Sequence, residues 1–191
     1  MKKLSCLLVS LLVIAVLLGG VSPVHAAGDV IIRLAHVLPE SHASHIALVE
    51  VFKKQIEEGT NGEVTVELYP NGQLGADRQA IEAVSLGTLE MTMATGALLP
   101  SYDGKFAVLD LPFLFSSHKA ARNALDGELG EALDNLFEAH HMYNLAWCEG
   151  GFRNITNSRQ PVYGPSDVKG MKIRTMENPY HVAAFKSYGA N

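Results

Sequence analysis

The spacing of apolar side chains changes period several times along this chain, and each change marks an element. Residues 30–37 form a β-branched apolar run of the kind found in strands buried on both faces. Between 41 and 58 the apolar side chains Ile46, Val49, Phe52 and Ile56 share one helical face, with Glu50, Lys53, Lys54 and Glu57 elsewhere. Gly59 and Asn61-Gly62 close that helix. Residues 63–69 alternate with period two and read as a second strand. Pro70-Asn71-Gly72 is a turn, 77–86 a helix stopped at Gly87, and 89–94 a third strand. This βαβαβ order predicts an α/β fold with a mainly parallel sheet and helices on its faces. In such sheets ligands bind beyond the carboxyl ends of the strands, which here are residues 36–40, 70–73 and 95–98.

The pattern continues less regularly. Residues 109–115 are apolar, but Pro112 keeps them from being a regular helix. Residues 119–140 are helical in two pieces around Gly127 and Gly130, and 142–148 read as a strand. The composition then shifts through Gly150-Gly151, Asn157, Pro161, Gly164 and Pro165, the best place for a crossing between domains. Residues 171–175 are a short strand and 178–188 a helix with Pro179 in its first turn. The expected organisation is a first α/β domain over 27–150, then a crossing segment and the start of a second α/β domain over 151–191. A lone strand and helix bury too little to be stable by themselves, so the sequence reads as truncated, or as one piece of a longer product.

Composition adds an address. Lys2 and Lys3, the apolar run 7–18 and Val24-His25-Ala26 read as a cleavable secretory signal over residues 1–26. The apolar run is shorter than the roughly 20 residues of a membrane span. Export to the periplasm follows. Cleavage would remove Cys6 and leave Cys148 without an internal disulfide partner. It would also leave 13 basic against 20 acidic residues, a poor balance for binding nucleic acid. His42 and His45 lie three apart on a predicted helix, but no supporting cysteine or metalloprotease spacing accompanies them, so no metal is expected. Nucleophile-elbow and phosphate-loop motifs are missing too, so neither catalytic residues nor a cofactor are assigned.

Arg174 stands at the end of a short apolar strand just before a helix, where α/β sheets place ligand groups. Its planar guanidinium matches a carboxylate with two parallel hydrogen bonds, although a surface salt bridge is the plainer alternative. Arg153 lies in the crossing segment, with an inter-domain ion pair as its alternative. Arg78 follows Asp77 at a helix start and reads as a structural partner of a carboxylate. His36 and Thr95 fall at strand ends, where each would either donate to a ligand or cap a loop. Glu177 and Asn178 sit one turn beyond Arg174 and would read a hydroxyl or amine, with helix capping open for Asn178.

Several stretches together resemble the front part of the TRAP-transporter solute-binding proteins, often called dicarboxylate-binding subunits. They are residues 32–36, 68–75 with Asp77-Arg78, Leu111-Pro112-Phe113, Gly151 to Asn157, Asp167 to Arg174 and the tail Gly189-Ala190-Asn191. The resemblance implies a periplasmic-binding-protein-like two-domain clamp, incomplete in its second domain and a monomer when full length. It implies that an organic acid binds in the cleft and that the closed protein docks on TRAP membrane permease subunits. It implies further that Arg174 forms a two-pronged salt bridge with the ligand carboxylate and that Arg153 adds a second contact. Some family members carry a Glu and an Arg near 95–98, where this chain has Thr95-Gly96-Ala97-Leu98. That difference favours a smaller or more apolar acid over a bulky sugar acid. A sensor subunit with the same ligand, or an exported small-acid hydrolase or lyase, are the alternative functions.

Overall fold

The computed structural model describes residues 30–191, and the signal segment expected over 1–26 lies outside them. Three parallel strands form one sheet in the order β2-β1-β3: β1 (Val30–Ala35), β2 (Val64–Tyr69) and β3 (Met91–Thr92). β1 pairs with β2 from Val30↔Val64 to Ala35↔Tyr69, and with β3 at Leu34↔Met91 and Ala35↔Thr92. The central strand carries the apolar run, and Leu34 and Ala35 are buried. α/β order and parallel pairing are thus as the periodicity predicts.

The first crossover is one uninterrupted helical stretch. It runs through α1 (Ala43–Ala47), a wider π-helical section (Leu48–Lys53) and α2 (Lys54–Gly59). Its polar residues protect a sheet edge. Lys53 Nζ donates to the Val66 carbonyl at 2.5 Å and to Glu57 at 2.6 Å, while Glu57 accepts the Val66 N–H at 3.0 Å. The outward backbone groups of Val66 on edge strand β2 are therefore satisfied by side chains, which blunts the edge against pairing with another chain. The second crossover is α3 (Asp77–Ser85), reached through Asn71 and Gly72, both with positive φ. The Gly72 N–H donates to the His36 carbonyl at 3.0 Å and folds that turn against the end of β1.

At the far side of the sheet, Arg33 and Glu90 make a two-pronged pair, with Arg33 Nη2 at 2.6 Å from Oε1 and Nε at 2.8 Å from Oε2. The guanidinium holds the Glu90 carboxyl down at about 2, well below an unfolded carboxyl near 4.3. The folded value is the lower one, so this stabilisation is present above the unfolded value and is lost as pH falls through about 2. Both side chains are partly exposed, so solvent screening keeps the contribution of the pair small. Glu90→Gln is expected to lower the urea midpoint slightly at pH 7, with the difference from the parent shrinking as pH drops from 5 towards 2. A difference that grows on acidification would contradict the pairing.

Two 3-10 helices, Gly96–Ser101 and Gly104–Asp110, carry the chain from the sheet to the second packing layer. α4 (His118–Leu125) and α5 (Glu128–Phe137) follow, split where Gly127 begins α5. Gly130 is buried against the Leu125 backbone carbonyl, and any side chain there would overlap it. The main core joins Ile81, Leu98, Leu99, Phe106, Leu133 and Phe137, with the Phe106 and Phe137 rings 4.9 Å apart. It is built by α3, the 3-10 helices and α5 together.

Two expected strands differ. Residues 142–148 form no helix and join no ladder among the described residues. Side chains hold them instead: Asn144 Nδ2 and Trp147 Nε1 both donate to Asp134 on α5, at 2.8 and 2.9 Å. Alternation predicts extended backbone, but a ladder also needs a neighbour, and this segment lies along a helix. Residues 171–175 likewise lie outside the sheet. The Gly170 N–H donates to Gly189, Asn191 to Met171 and Ile173 to Asn191, so 170–173 run beside 189–191. Between them lies α6 (Pro179–Ser187).

Candidate functional site

The carboxyl ends of the three strands put His36, the 70–73 turn and Thr95 at one edge of the sheet. His36 is only 1% exposed. Its N–H donates to the Tyr69 carbonyl at 3.0 Å, and its Nε2 lies 3.0 Å from His45 Nδ1 on α1. Its Nδ1 is buried without a partner among the described residues. Burial, then the neighbouring His45 imidazole, push the His36 pKa down, so the ring stays neutral near pH 7.

Thr95 caps the 3-10 helix Gly96–Ser101 through its hydroxyl. The same Oγ1 accepts from Arg153 Nη2 at 3.3 Å, across 58 residues of sequence. Arg153 is otherwise exposed. Beside Thr95 lies Asp77, the first residue of α3, whose Oδ1 is buried without a partner among the described residues. Burial raises the Asp77 pKa and the Thr95 backbone only partly offsets it. The sequence assigns Asp77 no site role and gives the structural pair to Arg78; only the packing shows that the Asp77 carboxyl is enclosed.

The next residue, Arg78, reaches Glu177, with Nε 2.6 Å from Oε2. Asn178 is 2% exposed and has every hydrogen-bonding position filled. Its Nδ2 donates to the Ala97 carbonyl at 2.8 Å and to Asp110 Oδ2 at 2.7 Å, and its Oδ1 accepts from the Tyr180 and His181 N–H groups. The capping geometry weighed for Asn178 is the one found, and its amide offers no group to a ligand. Arg174, three residues before Glu177, is exposed and makes no hydrogen bond or ion pair with the described residues.

Thr95, Arg153, Glu177 and Asn178 are therefore linked around residues 77–78 and 95–97, by direct contact or through Arg78 and Ala97. His36 is drawn into the interior, and Arg174 is left without a fixing contact. A cavity of about 680 Å³ opens alongside, between residues 109–116, α4 and 147–153. Of the six expected site residues, Arg153 lines it. In its wall Arg122 and His118 are both held by Glu149, whereas Arg153 meets only the Thr95 hydroxyl. Arg153 is the member of the 77–95–153 cluster that reaches this cavity, whose apolar walls include Leu111 and Leu114. A small anion with polar substituents fits such a cluster: a guanidinium for the charge, and the Thr95 hydroxyl and Asp77 carboxyl for hydrogen bonds.

Residues 34–191 match the model of the bacterial extracellular solute-binding protein family 7. A solute-binding protein of Verminephrobacter eiseniae is 43% identical over 141 residues, 74% of this chain and 42% of that protein. The 2,3-diketo-L-gulonate-binding periplasmic protein YiaO of Escherichia coli is 37% identical over 160 residues, 84% of this chain and 48% of that one. The solved sugar acid binding protein DctPAm of Advenella mimigardefordensis, in complex with galactonate, superposes with a TM-score of 0.82 at 35% identity. That superposition covers 87% of this chain and 53% of the other. The chain spans about half the length of the curated relatives it matches.

Proposed function

The chain belongs to family 7 of the bacterial extracellular solute-binding proteins, and from that premise we propose that it captures a small hydroxylated carboxylate in the periplasm and delivers it to a TRAP membrane permease. The family is one of binding proteins rather than enzymes. No helix among the described residues is long and apolar enough to cross a membrane. The observation that carries the reading is the meeting of Arg153, Thr95 and Asp77 at the carboxyl edge of a parallel sheet, next to the segment that bears Arg174.

In this reading residues 27–150 form one lobe, and 151–191 form the crossing and the start of the other. The acid bridges them. Arg174 takes the carboxylate with two parallel hydrogen bonds and Arg153 adds a second cation. Asp77, whose buried Oδ1 lacks a partner among the described residues, receives hydroxyls. Burying those hydroxyls against that unpartnered oxygen removes an existing cost, which a purely apolar acid cannot do. Glu177, tied to Arg78, lies at the rim. Closure follows because the acid makes more contacts in the closed state than in the open one. Residues 95–98 by themselves favour a smaller or more apolar acid. The two sugar-acid relatives and the unpartnered Asp77 oxygen widen the expected class to hydroxylated acids of about their size.

A thermal-shift panel on the full-length protein tests this directly. Aldonates, uronates and C4-dicarboxylates are compared with the neutral sugars of the same length. Acids are expected to raise the midpoint and neutral sugars to leave it in place. A shift by neutral sugars alone, or by no acid, overturns the reading. Turnover of the acid under the same conditions would replace it with the hydrolase or lyase alternative.

A further inference from the structure

The first turn of α6 is held by a polar knot to which the ligand reading gives no role, although two of its members, Asp110 and His181, also line the cavity. Asp110 ends the 3-10 helix Gly104–Asp110, and its side chain is only 9% exposed. One of its oxygens accepts from Asn178 Nδ2 at 2.7 Å, and the other lies 2.9 Å from His181 Nε2. Asn178 is the N-cap of α6 and His181 lies in its first turn, so a single carboxylate grips both the start and the first turn of the helix. The Asn178 bond to the Ala97 carbonyl ties the same point to the residues that follow Thr95.

Building on the carboxylate-binding reading above, we propose that Asp110 is a positioning residue for that site. Through Asn178 and His181 it fixes the 174–178 segment, and with it Arg174, against the wall formed by residues 95–110.

The Arg174 side chain has no contact with the described residues that would set its direction, so its placement depends on its own backbone. That backbone is held on its N-terminal side by the Ile173 N–H bond to the Asn191 carbonyl at 2.8 Å, and on its C-terminal side by Met176 against the main core and by two polar side-chain anchors, Glu177 and Asn178. The Glu177 anchor is the pair with Arg78, in which the two side chains are 70% and 40% exposed. Exposed pairs of this kind are screened and mobile, and contribute little to placement. The Asn178 anchor is buried, pairs with a carboxyl oxygen that is itself nearly enclosed, and leaves no polar atom of the amide unpaired. Hydrogen bonds to charged groups in low dielectric are the strong ones. Of the two polar side-chain anchors, Asp110 rather than Arg78 is therefore the one that fixes the end of the segment leading into α6. A guanidinium that must meet a carboxylate with two bonds at once is sensitive to small displacements of its backbone.

The test is a double-mutant cycle on the full-length protein, titrated by calorimetry with galactonate, or with another acid of the panel if it gives the larger thermal shift. Asp110→Ala is expected to lower affinity about tenfold or more at a temperature where the variant is fully folded, the size of effect set by losing one charged contact. Adding Arg174→Ala to it should cost no more than about twofold further, because both changes remove the same contact. Asp110→Asn keeps the shape and one acceptor oxygen for Asn178, and should restore part of the affinity. If Asp110→Ala lowers the unfolding midpoint but leaves affinity intact while Arg174→Ala weakens binding, the positioning role is overturned and the carboxylate site stands. If Arg174→Ala alone leaves affinity intact, the site reading itself falls. Should Asp110→Ala fail to fold, amide hydrogen exchange of Asp110→Asn decides. Faster exchange across 172–178 with unchanged protection in β1 supports the role, and unchanged exchange across 172–178 overturns it.

Discussion

Arg174→Ala is expected to weaken binding of the carboxylate ligand by about tenfold or more in the full-length protein, since roughly 1.4 kcal/mol is already a factor of ten. Each hydrogen bond between the guanidinium and a carboxylate oxygen contributes about 1.5–3 kcal/mol in mutational series. Two such bonds exceed the roughly 0.5–1.5 kcal/mol needed to immobilise the long side chain. The structure makes the experiment clean. Arg174 is exposed and has no partner among the described residues, so removing it should change folding stability by less than about 0.5 kcal/mol. A loss of affinity is then read as loss of the contact and not of the fold. Arg174→Lys keeps the charge but not the planar fork, and should fall between the parent and the alanine variant. Equal affinities for all three proteins by calorimetry would remove Arg174 from the site.

The largest expected effect on stability comes from Phe106→Ala, at about 3–5 kcal/mol. Phe106 is 1% exposed and packs at a tilt against Phe137 in the core shared with Leu98, Leu99 and Leu133. Removing the ring forfeits its transfer energy and leaves a cavity that the surrounding helices cannot fill without moving. A domain of ordinary stability holds only about 5–15 kcal/mol in total, so the loss is a large share of it. Phe113 is the matched control. It is 94% exposed, and Phe113→Ala should shift stability by no more than about 0.5 kcal/mol. Urea unfolding with an unchanged slope checks both. If the two variants lose similar amounts, the core is not where the structure puts it. Phe106 shares a 3-10 helix with Asp110, so its loss should also loosen the start of α6.

Much of the fold was legible from periodicity. The buried run ending in Leu34-Ala35 became the central strand, the Ile46–Ile56 stripe became the first crossover helix, and Asn178-Pro179 marked the start of α6. Local rules suffice there, because each signal depends on neighbours within one or two turns. Residues 142–148 show the limit. Their pattern specified extended backbone, but Asp134 took the place of a neighbouring strand.

The site divides along the same line. Sequence by itself determined the family motifs, the two arginines and the strand ends where a ligand would sit. Tertiary structure alone decided that His36 is enclosed, that Asp77 carries an unpartnered carboxyl oxygen, that Arg153 reaches Thr95, and that Asn178 is occupied by Asp110 and Ala97. These are contacts between residues about 60 to 80 positions apart, or degrees of burial set by several elements at once. The identity of a side chain says what it can bond to; which partner it meets, and whether water can reach it, depends on how distant segments pack.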